Sequence, residues 1–144
     1  MKIAIGADHG GFRLKEEVKE YLLKEGHEVL DFGTDSQNST DYNDRAVMVA
    51  KAVTKEEAER GILICGTGVG MSIMANKVPG IRAALVHDLF TAKATRLHND
   101  SNVLTMGGRI IGTDLALAIV DVWVNTEFSH EERHERRVNK INTF

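Results

Sequence analysis

Short β-branched, apolar runs alternate along this chain with segments whose apolar residues recur every three or four positions. Such runs read as strands buried on both faces, and the segments between them as helices covering those faces; this is the pattern of stacked βαβ units and a parallel sheet. Five strands are predicted: Lys2 to Ala7, His27 to Phe32, Gly61 to Cys65, Arg82 to Val86 and Asn102 to Met106. Each ends on a loop residue such as Gly, Asp or His, so the ends face one edge.

Between the first two strands, Leu14, Val18, Tyr21 and Leu22 keep helical spacing, and Gly26 stands where a left-handed stop belongs. A second helix is predicted from Asp44, read as its N-cap, through Ala46, Val47, Ala50 and Val53. A third starts in the glycine loop after Cys65, and a fourth spans roughly Leu89 to Leu97. The fifth, Asp114 to Val124, is apolar nearly all round, which predicts burial on more than one side, either by a partner subunit or by central placement in the monomer. A last, strongly charged helix is predicted over His130 to Asn142. The fold class expected is α/β: a three-layer α/β/α Rossmann-like sandwich around a five-stranded parallel sheet.

Composition narrows this picture. With 144 residues, 42% hydrophobic and 27% charged, residues 1–144 are expected to form a single domain with its own core. Thirteen glycines against one proline, Pro79, point to tight turns between regular elements, not to a linker or a disordered tail. A net charge of -3 and a pI near 6.1 argue against a general nucleic-acid or membrane-surface binder, so any anion site must be local. No apolar run approaches the roughly 20 residues that span a bilayer, and the start lacks a signal peptide's apolar stretch, so a cytoplasmic location is expected.

In open parallel sheets, ligands bind in the crevice beyond the carboxyl ends of the strands. That rule selects Asp8-His9-Gly10-Gly11, Cys65 to Gly70, His87-Asp88 and Gly107-Gly108-Arg109. The strongest local signal is Gly61 to Ser72, a buried strand entering a glycine-rich turn and then a helix. Glycines at 66, 68 and 70 let successive backbone N–H groups converge on one point, as an anion hole requires. No Gly-Lys-Ser/Thr follows, and the spacing is not that of the dinucleotide fingerprint; alone, the turn reads equally well as structure.

Cys65, the single cysteine, cannot form an internal disulfide, and a free cysteine is more often a small buried hydrophobe than a reactive thiol. Its place at a strand end beside a helix N-terminus favours a thiolate able to act as nucleophile or base. His98, in a polar break before the fifth strand, is the candidate acid, since imidazole titrates near neutrality; a lone histidine there is also compatible with a solvated loop. His27, His87 and His130 read as surface or structural. Arg133 and Arg137 lie one helical turn apart and can grip a phosphate, although Glu131, Glu132 and Glu135 among them fit a salt-bridged exposed helix better. No His, Cys and carboxylate spacing suits a metal.

Asp8 to Phe12, Asp31 to Thr34, Asp41-Tyr42, Cys65 to Met71, Ala75 to Lys77, Gly80 to Ala84, His98 to Asn102, Gly108-Arg109 and Arg133-His134, taken together, resemble the ribose-5-phosphate isomerase B family, which includes the galactose-6-phosphate isomerase subunits. The likeness covers nearly the whole chain in the family's order. It implies an aldose–ketose isomerase with Cys65 as base and His98 as the acid that opens the furanose ring. Thr67 is implied in ring opening. Asp8, His9 and Asn99 are implied as substrate contacts, and the backbone of Gly66, Thr67, Gly68, Val69 and Gly70 as the cradle for the enediolate oxygen. Arg109, Arg133 and Arg137 are implied as the phosphate-binding set, with the active site shared across a homodimer and pairing of dimers into tetramers left open. Neither cofactor nor metal is implied, and the partner is a phosphosugar.

A sister branch carries a glutamate base in the glycine turn, where this chain has Met71, so it resembles the cysteine branch. It departs from the family at Asn43, where proline is usual, and at Glu131-Glu132, where the family has Gly-Gly. Ribose 5-phosphate and ribulose 5-phosphate are the expected substrates. The alternatives are allose 6-phosphate or galactose 6-phosphate, or a non-catalytic sugar-phosphate-binding module; a redox role is disfavoured by the lack of a resolving cysteine.

Overall fold

The computed structural model describes all 144 residues. In chain order its elements are β1 Lys2–Ala7, α1 Phe12–Lys24, β2 Glu28–Asp31, α2 Tyr42–Thr54, β3 Arg60–Cys65, α3 Val69–Ala75, β4 Ala83–Leu85, α4 Leu89–Asn99, β5 Val103–Gly107, α5 Thr113–Asn125 and α6 Glu132–Asn142. The five strands pair in parallel in the order β2-β1-β3-β5-β4. The α/β sandwich read from the sequence is therefore the fold.

Alternation along the buried strands divides the core in two. Ile3, Ile5, Ile62, Ile64, Leu104 and Met106 face α1, α4 and α5, while Ala4, Leu63, Cys65 and Val103 face α2 and α3. The register carries this through the sheet, with Ile5 opposite Ile62 and Ile62 opposite Leu104. No helix is long and apolar enough to cross a membrane.

Four expectations change. Asp41, not Asp44, is the N-cap of α2; the buried face is Ala46, Val49, Ala50 and Val53, with Val47 only half-buried beside it, and Asp44 falls in the first turn beside the positive helix end. His98 is not in a loop but in the last turn of α4, which runs on until Asp100 adopts the left-handed conformation. Helix α6 starts at Glu132, after His130 at φ 57°. The fifth helix buries Ala116, Ile119, Val120, Trp123 and Val124 in the core, while Leu115 is exposed and Leu117 and Val122 half-buried, so the monomer covers one face fully and the other in part.

Candidate active site

The order of the strands reverses between β1 and β3, because β1 leads outward to β2 on one side and the chain then returns to β3 on the other. A crevice opens at the carboxyl ends of strands at such a point. Three turns line it, and they meet backbone to backbone. A Cβ added to Gly10 would lie 3.0 Å from the Gly66 nitrogen, and one added to Gly108 would lie 2.7 Å from the Gly10 carbonyl oxygen. The N–H of Gly108 donates to the Cys65 carbonyl at 2.8 Å, and that of Arg109 to the Gly66 carbonyl at 3.0 Å.

Cys65 closes β3 and is buried, packed with Met71 and Ala75 of α3. Its Sγ accepts the N–H of Gly68 at 3.0 Å. Gly68 can aim that N–H inward because it sits at φ 80°, where a side chain is strained, and because an added Cβ would lie 2.7 Å from the Met106 backbone. The Gly68 N–H contact fixes the sulfur at the end of β3, against the glycine turn. Thr67 is exposed at the turn's tip, its Oγ1 accepting the Val69 N–H at 3.3 Å. The Tyr42 ring lies over Gly70, its Cζ 2.6 Å from where a Cβ would be, and the Arg109 guanidinium lies over Gly66, with Nη1 3.2 Å from the corresponding point.

Asp8 is buried, and its Oδ1 accepts the N–H groups of Gly10 at 2.9 Å and Gly11 at 3.2 Å. One carboxylate oxygen thus shapes the turn and the other remains available to a ligand. His9 accepts the Thr40 N–H on Nδ1 at 3.3 Å, which leaves Nε2 to carry the proton of the neutral ring.

The remaining predicted site residues lie elsewhere. Helices return antiparallel to the strands, so the end of α4 lies at the amino edge of the sheet. Gly61 is opposite Val103 and Cys65 opposite Gly107, and four residues of strand separate the two levels by about 13 Å. His98, Asn99, Arg133 and Arg137 gather at this lower edge. The His98 and His134 rings stack at 4.6 Å between centroids, tilted by 37°. Buried His134 bonds Ser129 Oγ through Nδ1 at 2.7 Å, and the same oxygen accepts the Glu131 N–H at 3.2 Å. Burial holds the His134 imidazole below its ordinary pKa; Glu131 opposes this, and His98, Arg133 and Arg137 reinforce it. Arg133 is half engaged, its Nε bonding Glu131 at 3.0 Å. A single chain therefore divides the predicted set into Asp8, His9, Cys65 to Gly70 and Arg109 at one edge, and His98, Asn99, Arg133 and Arg137 at the other.

Buried arginines brace the lower edge. Arg60 donates to the carbonyls of Trp123 and Val124 at 2.8 and 2.9 Å, and desolvation, helped by nearby Arg96, lowers its pKa to about 10. Arg96 and Arg82 both reach the Asp100 carboxylate. Sequence reasoning assigned no role to Tyr42, and it set His87 aside although the carboxyl-end rule had selected its neighbourhood. The His87 Nε2 accepts the Gly107 N–H at 2.9 Å.

Comparison with known proteins identifies the family. Residues 3–141 match the family model described as Ribose/Galactose Isomerase. The chain is 49% identical to ribose-5-phosphate isomerase B of Escherichia coli strain K12, over 97% of this chain and 93% of that protein. It is 38% identical to a D-erythrulose-4-phosphate isomerase of Pectobacterium atrosepticum, over 94% of this chain and 99% of that one. The solved structure of Clostridium thermocellum ribose-5-phosphate isomerase B superposes with a TM-score of 0.97 at 54% identity, covering 99% of this chain and 96% of that one. The chain belongs to the ribose/galactose isomerase family.

Proposed function

We propose that this protein interconverts D-ribose 5-phosphate and D-ribulose 5-phosphate through an enediolate, with Cys65 as the base. The observation that carries the reading is the Cys65 sulfur at the carboxyl end of β3, beside the switch point, held by the Gly68 N–H in a turn where buried Met71 leaves no carboxylate to compete. The thiolate removes the proton from C2 of the open-chain aldose, and the electron pair passes to O1. Backbone N–H groups of the Gly66 to Gly70 turn hold that oxyanion; donors so aimed contribute on the order of 3 kcal/mol each. Return of the carbon proton from the Cys65 thiol to C1, with transfer of the O2 proton to O1, completes the ketose and regenerates the thiolate. Asp8 and His9 contact the sugar hydroxyls, Thr67 assists ring opening, and Arg109 meets the phosphate.

His98 and Asn99, with Arg133 and Arg137, complete the site from a second copy in a homodimer, His98 moving the proton that opens the ring. Beside His98 an apolar cleft of about 540 Å³ runs between Leu89, Phe90, Leu97 and Val122, and Phe90 is 81% exposed, which suits burial against another subunit. A phosphosugar substrate fits a cytoplasmic protein of pentose phosphate metabolism.

Steady-state kinetics on ribose 5-phosphate, allose 6-phosphate, galactose 6-phosphate and D-erythrulose 4-phosphate test the assignment. The pentose phosphate is expected to give the highest kcat/KM. A rival sugar better by about tenfold, which is about 1.4 kcal/mol, would overturn it, and binding without turnover of any of them would favour a sugar-phosphate-binding module.

A further inference from the structure

We propose that His87 is a positioning residue for the phosphosugar site, fixing the Gly107–Arg109 segment against the Cys65–Thr67 turn by accepting the Gly107 N–H on its Nε2. The bond stands where a rung of the sheet should be. Leu85 is opposite Thr105, and the Val86 N–H donates to the Thr105 carbonyl at 3.0 Å, so the next donor that β5 aims toward β4 is the N–H of Gly107. Strand β4 has ended by then, and the half-buried imidazole takes the place of the missing backbone carbonyl at 2.9 Å. Gly107 is buried, so without this acceptor its N–H would have no partner.

The two residues after Gly107 give the bond its consequence. Their N–H groups, of Gly108 and Arg109, donate to the carbonyls of Cys65 and Gly66, and a Cβ on Gly107 would lie 2.8 Å from the Thr67 backbone. Three successive amides thus tie the segment down, one to His87 and two to the turn that carries Cys65. Releasing the first lets the segment shift, and Arg109 with it. Accepting on Nε2 requires a neutral ring with its proton on Nδ1. Burial lowers the His87 pKa and outweighs exposed Asp88, the one charged group that acts on it, and the ring's partner on β5 is the uncharged Gly107 N–H. The bond therefore holds at neutral pH and is lost when the imidazole is protonated in acid.

The kinetic consequence rests on the isomerase reading; the structural one does not, and the test separates them. Amide hydrogen exchange of Gly107 in the full-length protein is compared among wild type, His87→Ala and His87→Gln, whose side-chain oxygen can accept without titrating. Protection of Gly107 is expected to drop about tenfold in His87→Ala and to stay near wild type in His87→Gln. In wild type it falls as the imidazole protonates, and in His87→Gln it does not. In parallel, His87→Ala is expected to raise KM for ribose 5-phosphate about tenfold with kcat within about threefold. Unchanged Gly107 protection in His87→Ala, or in acidified wild type should the alanine variant not fold, overturns the proposal. An active wild type with unaltered KM in a folded His87→Ala also overturns it and leaves the isomerase assignment standing. An inactive wild type refutes that assignment, while the exchange data still decide the role of His87.

Discussion

The Gly68 N–H points at the Cys65 sulfur from 3.0 Å, so a turn that must be glycine holds the one thiol of the chain. On the proposed role of Cys65 as the base, Cys65→Ala is expected to lower kcat by about 10²- to 10⁴-fold while leaving phosphosugar affinity within a few-fold. The thiol is small, so the cavity costs about 1 kcal/mol or less. Turnover assays and isothermal calorimetry on the same preparation check both halves.

Lys15 is 1% exposed and its Nζ lies 2.9 Å from Asp31 and from Glu16. Burial works to raise the Asp31 pKa, but hydrogen bonds from Lys15, the Gly33 N–H and Lys19 outweigh it and hold the carboxyl below its ordinary range. The unfolded chain then binds a proton at a pH where the folded one does not. This contribution is complete above the ordinary Asp value and is lost as pH falls through the depressed one. Asp31→Asn is expected to cost about 2 kcal/mol at neutral pH and to flatten the acid side of the stability profile, read by urea unfolding between about pH 3 and 7.

Asp100 holds a left-handed conformation at φ 47° and ψ 46° while accepting Arg96 at 2.8 Å and Arg82 at 3.3 Å. Its carboxylate thus holds the end of α4 that carries His98 and Asn99. Asp100→Ala keeps the backbone strain and strands two partly buried guanidinium groups; a loss of about 2–3 kcal/mol is expected. Asp100→Asn, which tolerates this backbone region and retains an acceptor, is expected to lose less than half of that in thermal unfolding.

The fold was legible because both of its signals are local. Apolar strands such as Gly61 to Cys65 and the spacing of Leu14, Val18 and Leu22 appear in the sequence without knowledge of what they touch. The carboxyl-edge half of the site was legible for the same reason: topology alone brings Asp8, Cys65 and Arg109 to one crevice. The placement of His98 was not. Its polar neighbours suggested a loop, and what ends α4 is the conformation of Asp100, fixed by Arg82 from another part of the chain. The role of His87 was hidden because it depends on where β4 stops relative to β5, a register that no periodicity records.

The most direct measurement is complementation between two disabled chains. Cys65→Ala and His98→Ala are purified separately, shown to be inactive, then mixed one to one and allowed to exchange subunits. With Cys65 of one copy working beside His98 of another, half the dimers are mixed and each has one intact site, so activity is expected to recover to about a quarter of wild type. If both residues served one site within a single chain, every site in the mixture would lack one of them. Full subunit exchange with no recovered activity would contradict the shared-site account.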